Sequence, residues 1–332
     1  EIDYLRYDQF GNALEQTVAR YSDTDKLIDY KVINNTYADP AAAKRGNATS
    51  STIERYTSKD TLDPTTMIER QVITNKSFDS IGNVVDQEVE LYARGKLSRK
   101  TVIKNSNISN RGDAGNQEIT VYSTDSDGKL LPAETSYQLI TNRVFDSDRN
   151  TLNQMTLNYL DSTRSTLLDV QEVRNLAFDS RGNVLDQIVA TFTDLNQAEL
   201  LDIKVITNES IDAQGNAGKV TIRKYSKGAV GPNGGDITPS DASFIDVSVI
   251  TTARFDSRGN SLEQTVKRYS DAALAKLTET QAITNSGYDF HDRVERSSVI
   301  TTNSQGAFVD RQEISYLRYD QFGNALEQTV AR

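Results

Sequence analysis

Apolar and polar residues alternate along most of this chain with a period of two, the pattern of strands whose two faces differ. After Asn12, the residues Leu14, Gln16 and Val18 fall on one face, and Glu15, Thr17 and Ala19 on the other. Leu185, Gln187 and Val189 repeat the pattern, as do Leu262, Gln264 and Val266. The segments leading into these strands are rich in Val, Ile and Thr, the branched side chains that suit a pleated surface. No long window carries a helical period of 3.6. A short stretch at Ala272–Lys276 could be helical but falls where a loop is expected. The pattern predicts an all-β chain of antiparallel strands.

The strands recur with a phrase: aromatic–Asp–x–x–Gly–Asn, then x-Leu-x-Gln-x-Val. It reads YDQFGNALEQTV from Tyr7, FDSIGNVVDQEV from Phe78, FDSRGNVLDQIV from Phe178 and FDSRGNSLEQTV from Phe255. Weaker copies begin at Phe145, Ile211 and Tyr288, and degenerate ones at Ala38 and Ile108. Internal repetition at such a period marks a tandem array in which each unit packs on its neighbours. Tyr4–Arg20 and Tyr316–Arg332 are identical, at an offset of 312 residues, whereas the units between them agree only loosely. Residues 1–312 therefore read as one super-repeat of nine hairpin units, with anchors at 7, 38, 78, 108, 145, 178, 211, 255 and 288. Residues 313–332 read as the start of the next identical super-repeat.

Asp–x–x–Gly is a turn with a mechanism: Asp accepts backbone N–H bonds, and Gly supplies a positive φ. The structural turn residues are Asp8 and Gly11, Asp79 and Gly82, Asp179 and Gly182, and Asp256 and Gly259. Asp also fills the slot at 39, 146, 212 and 289, with Ser109 the exception. All five prolines (Pro40, Pro64, Pro132, Pro232, Pro239) fall in variable inserts, outside the expected ladders. The longest insert, Lys227–Ser240, is rich in glycine and reads as a surface loop.

Two amide columns accompany the turns. Gln recurs at Gln16, Gln87, Gln117, Gln154, Gln187 and Gln264. Asn recurs before the anchor at Asn35, Asn75, Asn105, Asn142, Asn175, Asn208 and Asn285. An amide both donates and accepts, so regularly spaced amides are expected to form ladders between neighbouring strands.

Nine units supply about 18 strands. A flat meander of that length curls, splits or closes. Strands spaced about 4.8 Å apart would give a circumference of roughly 86 Å and a diameter of roughly 27 Å. Barrels of that strand number leave an open channel. The expected architecture is a meander of tandem antiparallel β-hairpins that spirals into a hollow single-layer tube.

Composition fits a thin wall. Hydrophobic residues make up 36% of the chain, about 42% with glycine, below the roughly 45–50% usual for globular domains. The net charge of −10 disfavours nucleic acid. No apolar run reaches the roughly 20 residues of a membrane span. The chain has no cysteine and a single histidine, His291, in a turn slot that holds Arg181 and Arg258 in sister units. It reads as an exposed loop residue. The carboxylates recur with the turns, so no catalytic residue is expected. No cofactor is expected, and the oxygen-rich STDSDGK run at 123–129 lacks the spacing of a calcium loop. Glycosylation sequons stand at Asn34, Asn47, Asn75, Asn107 and Asn208.

The anchor phrase resembles the YD or RHS-type repeat, whose core is Tyr–Asp–x–x–Gly–x–Leu. Tyr7, Asp8, Gly11 and Leu14 stand in those slots, as do Tyr319, Asp320, Gly323 and Leu326, while other units carry Phe for Tyr. The resemblance implies spiralling β-hairpin shells that enclose cargo or sit on cell surfaces. The period here is longer than the family's usual one. The expected function is a structural one, an extracellular β-tube or filament of a very long chain. Its partners would be neighbouring repeats of the same chain or identical chains along a fibre. The alternative is an adhesin or cargo-enclosing shell whose variable loops at Pro40–Arg45 and Lys227–Ser240 touch protein or surface glycans.

Overall fold

The computed structural model describes residues 1–332 apart from Asp23 and the side chains of Glu134, Asn142 and Asn233. Ten hairpins follow one another, each closed by the Asp turn or its equivalent. They are β1 (Ile2–Tyr7) with β2 (Ala13–Tyr21), β3 (Leu27–Thr36) with β4 (Ser50–Tyr56), and β5 (Met67–Phe78) with β6 (Val84–Ala93). Then come β7 (Lys96–Ile108) with β8 (Ala114–Thr124), β9 (Leu130–Phe145) with β10 (Thr151–Tyr159), and β11 (Leu167–Phe178) with β12 (Val184–Phe192). After β13 (Leu200–Ile211) and β14 (Ala217–Tyr225), a small hairpin, β15 (Gly228–Val230) and β16 (Ile237–Pro239), interrupts the series. The last are β17 (Phe244–Phe255) with β18 (Ser261–Tyr269), β19 (Leu277–Tyr288) with β20 (Val294–Asn303), and β21 (Phe308–Tyr319) with β22 (Ala325–Ala331).

Twenty strands belong to one sheet, and β15 and β16 form a second, two-stranded one. The meander is antiparallel, and β14 pairs with β17 across the insert. The fold is thus an all-β hairpin meander, as the period-two pattern requires. The chain divides into two compact units, Glu1–Leu139 with Asp161–Thr163, and Ile140–Leu160 with Arg164–Arg332.

Within each unit the Asp turns lie at one end of the strands and the variable connections at the other. An α-helix, α1 (Pro40–Lys44), replaces the turn between β3 and β4. The local sequence explains it: Asp39 caps the helix by accepting from the Ala42 N–H, Pro40 opens it, and three alanines fill it. Gly46, with φ of +75°, then restores the turn path. The Ala272–Lys276 stretch is a loop, as its position implied.

Two expectations are corrected. Pro132 lies inside β9 and Pro239 closes β16, so the prolines do not all avoid strands. The Lys227–Ser240 insert is not a loop over the surface. It forms the β15–β16 hairpin and lays Ile237 and Val230 onto a core of Val170, Ala190, Phe192, Ile203 and Tyr225 in the second unit. Ile203 is fully buried there, and removing such a side chain from water is worth about 1.5–3 kcal/mol. Gly228 permits the approach, because a Cβ at that position would lie 2.4 Å from Ile203 Cδ1. Glycine in this insert serves close packing, which composition alone does not distinguish from a loop.

Candidate functional site

The recurring chemistry starts at the turn. Asp79 Oδ1 accepts from the backbone N–H of Ile81 at 3.0 Å and of Asn83 at 2.8 Å, and Asp79 Oδ2 accepts from Asn83 Nδ2 at 2.8 Å. Gly82 stands at φ +86° and donates its N–H to Asp79 O at 3.0 Å. The same bonds recur at Asp8 with Asn12, at Asp179 with Asn183 and at Asp256 with Asn260. Gly11, Gly182 and Gly259 have φ of +84°, +82° and +91°. In two turns a side chain occupies the glycine slot in the left-handed region, Arg149 at +70° and Asp292 at +64°. These donors hold the Asp179 carboxyl down to about 2, the Asn183 side-chain amide acting first against the opposing pull of desolvation. Burial pushes the Asp8 carboxyl up, and the bonds from Asn12, Phe10 and Gly11 outweigh it, so the net direction is down.

The turn asparagine does more than close its own turn. Asn12 Nδ2 also donates to Ala43 O at 2.8 Å, and Asn47 Nδ2 donates to Gly82 O at 2.5 Å. In the second unit Asn260 Nδ2 donates to Asp292 Oδ1 at 2.9 Å, and Arg258 donates to Asp292 Oδ2 at 2.6 Å. Each of these side chains reaches the next turn in the row. The signal was in the phrase itself, where Asn follows Gly.

The pre-anchor asparagines and the glutamines meet across the strands. Gln87 donates to Asn75 at 2.8 Å, Gln117 to Asn105 at 2.8 Å and Gln187 to Asn175 at 2.6 Å. Each pair faces directly across its hairpin. Asn75 Nδ2 in turn donates to Ala48 O at 2.7 Å in the preceding hairpin, and Asn208 and Asn285 reach Val184 O and Ser261 O, each at 3.0 Å. Gln264 meets Thr252 instead, at 3.2 Å. Gln16 stands opposite Tyr4, and Gln154 opposite Val173. The Asn142 side chain lies outside the described residues. Three sequon asparagines, Asn47, Asn75 and Asn208, thus use for backbone bonds the amide nitrogen that a glycan would take.

One row below the pre-anchor position of each of these hairpins is a cross-strand aliphatic pair. In the first unit these are Ile33 with Ile53, Ile73 with Val89, and Ile103 with Ile119. In the second they are Val173 with Val189, Ile206 with Ile222, Ile250 with Val266 and Ile283 with Val299. Lower still, acids face cross-strand partners. Asp29, fully buried, takes Arg20 and, at 3.2 Å, Arg55. Arg55 also meets Glu69 at 2.9 Å. In the second unit Lys224 reaches Asp202 at 3.1 Å and Arg268 reaches Glu279 at 3.3 Å. The repeat is therefore a stack of amide, aliphatic and charged layers.

His291 departs from expectation. Its side chain is 11% exposed, it lies 4.0 Å from the Phe290 ring centroid, and its Nδ1 is 2.8 Å from Arg293 Nη2. The ring fills space beside the turn because Phe290 and Arg293 enclose it. In the STDSDGK run, Asp125 Oδ1 accepts from the N–H groups of Asp127 and Lys129, both at 2.9 Å, which is turn chemistry again. Among the described residues no group of three or more His, Cys, Asp or Glu is placed to hold a metal ion. Among them, too, no helix is long and apolar enough to cross a membrane.

No family model and no curated protein matches the chain. Among solved structures it is similar to a chain of a TcdB2–TccC3 complex, at 12% identity and a TM-score of 0.17, over 93% of this chain and 22% of that one. It is also similar to a chain of the Photorhabdus luminescens Tc holotoxin pore carrying a TccC3 mutation, at 11% identity and a TM-score of 0.15, over 96% of this chain and 22% of that one. The chain thus spans under a quarter of each of these structures' chains.

Proposed function

We propose that this chain is a segment of an extracellular structural protein, a β-wall of YD-like hairpins that winds into a hollow tube or filament. The observation that carries the reading is the regeneration of the first hairpin. Tyr4 pairs with Gln16, Arg6 with Glu15 and Tyr7 with Ala13. After 312 residues Tyr316 pairs with Gln328, Arg318 with Glu327 and Tyr319 with Ala325. The ring stack recurs too, Tyr4 on Tyr7 and Tyr316 on Tyr319, each at 5.9 Å and 27°. On this reading further copies add by the same antiparallel pairing that joins β2 to β3. The reading is non-enzymatic: the recurring turn carboxylates are occupied by backbone and amide donors.

Electron microscopy of the full-length native protein tests this. Unbranched fibres of constant width, on the order of 30 Å plus side chains, are expected; compact particles with a solid two-sheet core would overturn it. The second reading, an adhesin or cargo-enclosing shell, is favoured by the variable connections, which carry most of the length differences between units. Closed capsules enclosing cargo would select it over the filament.

A further inference from the structure

Glu1–Arg20 and Glu313–Arg332 differ at one position, Asp3 against Ser315. Both stretches fold as hairpins with the same register and the same bulge, at Leu5 and Leu317, each 59% exposed. Their turns match as well. Asp320 Oδ1 accepts from the N–H of Phe322 at 2.9 Å and of Asn324 at 2.8 Å, and Asp8 Oδ1 from Phe10 at 2.8 Å and Asn12 at 2.9 Å. β3 engages the first of these hairpins through a short set of contacts. Arg20 Nε donates to Oδ1 of the buried Asp29 at 2.7 Å. Asn12 Nδ2 donates to Ala43 O at 2.8 Å, and Asn35 Nδ2 donates to Ala13 O at 3.0 Å. The ladder pairs Gln16 with Ile33, Thr17 with Val32 and Val18 with Lys31. Each residue that β1–β2 and its turn bring to this set has an identical counterpart 312 residues on: Asn324, Ala325, Gln328, Thr329, Val330 and Arg332. Arg332 is 73% exposed and 3.8 Å from Asp310, whereas its counterpart Arg20 holds a carboxylate that is fully buried.

We infer that β21–β22 of one chain takes the place of β1–β2 on the β3 edge of a second chain, so that hairpins exchange between copies. The partner is a second copy of this chain, and Arg332 on Asp29 is the contact that selects the edge. The donor keeps its own ladders, β20 with β21 and β21 with β22, while β22 pairs with the partner's β3 in the register of β2. The pairing lost and the pairing gained are chemically identical. What favours the resident hairpin is its tether, the short connection from Tyr21 to Leu27. A tether of that kind supplies an effective concentration on the order of 1 mM, so exchange in the unmodified chain has a Kd of about that size. Exchange rests on the tandem reading only for the recurrence of the hairpin, and requires neither a tube nor an extracellular setting.

The test biases the competition at Asp29. Arg20→Glu sets a carboxylate against that buried acid and releases the resident hairpin, while Arg332 stays intact on the donor. Loss of a buried pair shifts an equilibrium by at least about a hundredfold, which brings the exchange Kd to about 10 µM. By light scattering at about 50 µM, Arg20→Glu chains should assemble head to tail in multiples of 36.9 kDa, and the unmodified chain should remain a monomer. Arg20→Glu combined with Arg332→Glu should also remain a monomer, because the donor has lost the same contact. A disulfide gives a second readout, since the chain has no cysteine of its own. Thr329→Cys chains mixed with Arg20→Glu/Val32→Cys chains should link on oxidation, as the pairing of Thr17 with Val32 requires. With Tyr30→Cys in place of Val32→Cys they should not. Arg20→Glu chains that stay monomeric and unlinked, or whose assembly survives Arg332→Glu, overturn the exchange. Assembly of these chains without fibres of the native protein would keep the exchange and remove the filament; fibres with no assembly would do the reverse.

Discussion

Gln87 Nε2 donates to Asn75 Oδ1 at 2.8 Å, while the other end of the same Asn75 amide donates to Ala48 O at 2.7 Å in the preceding hairpin. One side chain thus couples its own strand β5 to β6 and to the connection that leads into β4. Asn75→Ala is expected to cost about 1–3 kcal/mol, because it breaks two bonds and strands a carbonyl, and Gln87→Ala about 0.5–1.5 kcal/mol. A double-mutant cycle by urea unfolding should show a coupling of about 0.5–1.5 kcal/mol. Additive single effects would remove the amide pair from the list of stabilising contacts.

The turn row predicts a difference between two chemically equal substitutions. Gly11 and Gly182 share a positive φ, but a Cβ at Gly11 meets nothing within 4 Å, whereas one at Gly182 lies 2.9 Å from Asn150 Oδ1. Gly11→Ala should cost about 1–2 kcal/mol for the backbone conformation alone. Gly182→Ala should cost roughly 1 kcal/mol more, and adding Asn150→Ala should relieve the excess. Thermal unfolding of the three variants measures it.

Buried charge makes the strongest single-site prediction. Asp29 is fully buried between Arg20 and Arg55. Asp29→Ala should destabilise by about 3–5 kcal/mol, since it leaves two cations without their shared partner. Arg20→Ala should cost less, because Arg55 remains. Chemical denaturation of both variants decides the order.

Acid should act through the turns. The carboxyls of Asp8, Asp79, Asp179 and Asp320 are all held below their ordinary value, Asp179 at about 2. A depressed folded pKa stabilises above the unfolded value of about 4 and loses that contribution as pH falls toward the folded value. Stability should therefore decline between about pH 4 and pH 2. Asp179→Asn should flatten that decline in melting curves recorded across the window.

Much of the fold was legible because hairpin repeats are local. The Asp and Gly of each turn, the alternation in Leu185, Gln187 and Val189, and the antiparallel order all follow from interactions within a few residues or between adjacent strands. The helix at Pro40–Lys44 was equally local, with Asp39, Pro40 and three alanines in sequence, yet the turn slot it occupies concealed it.

What the sequence by itself determined is the hairpin and its turn chemistry, since both depend on backbone conformations that single residue types dictate. Only the tertiary structure decided which amide meets which carbonyl, which acid is buried, and where the Lys227–Ser240 insert lies. Those outcomes depend on register between strands and on contacts such as Ile237 with the Val170 core and Arg174 with Gly235, more than 60 residues apart in the chain. Glycine signals backbone freedom in a sequence; whether that freedom makes a loop or admits a packed roof is set by the surface it meets.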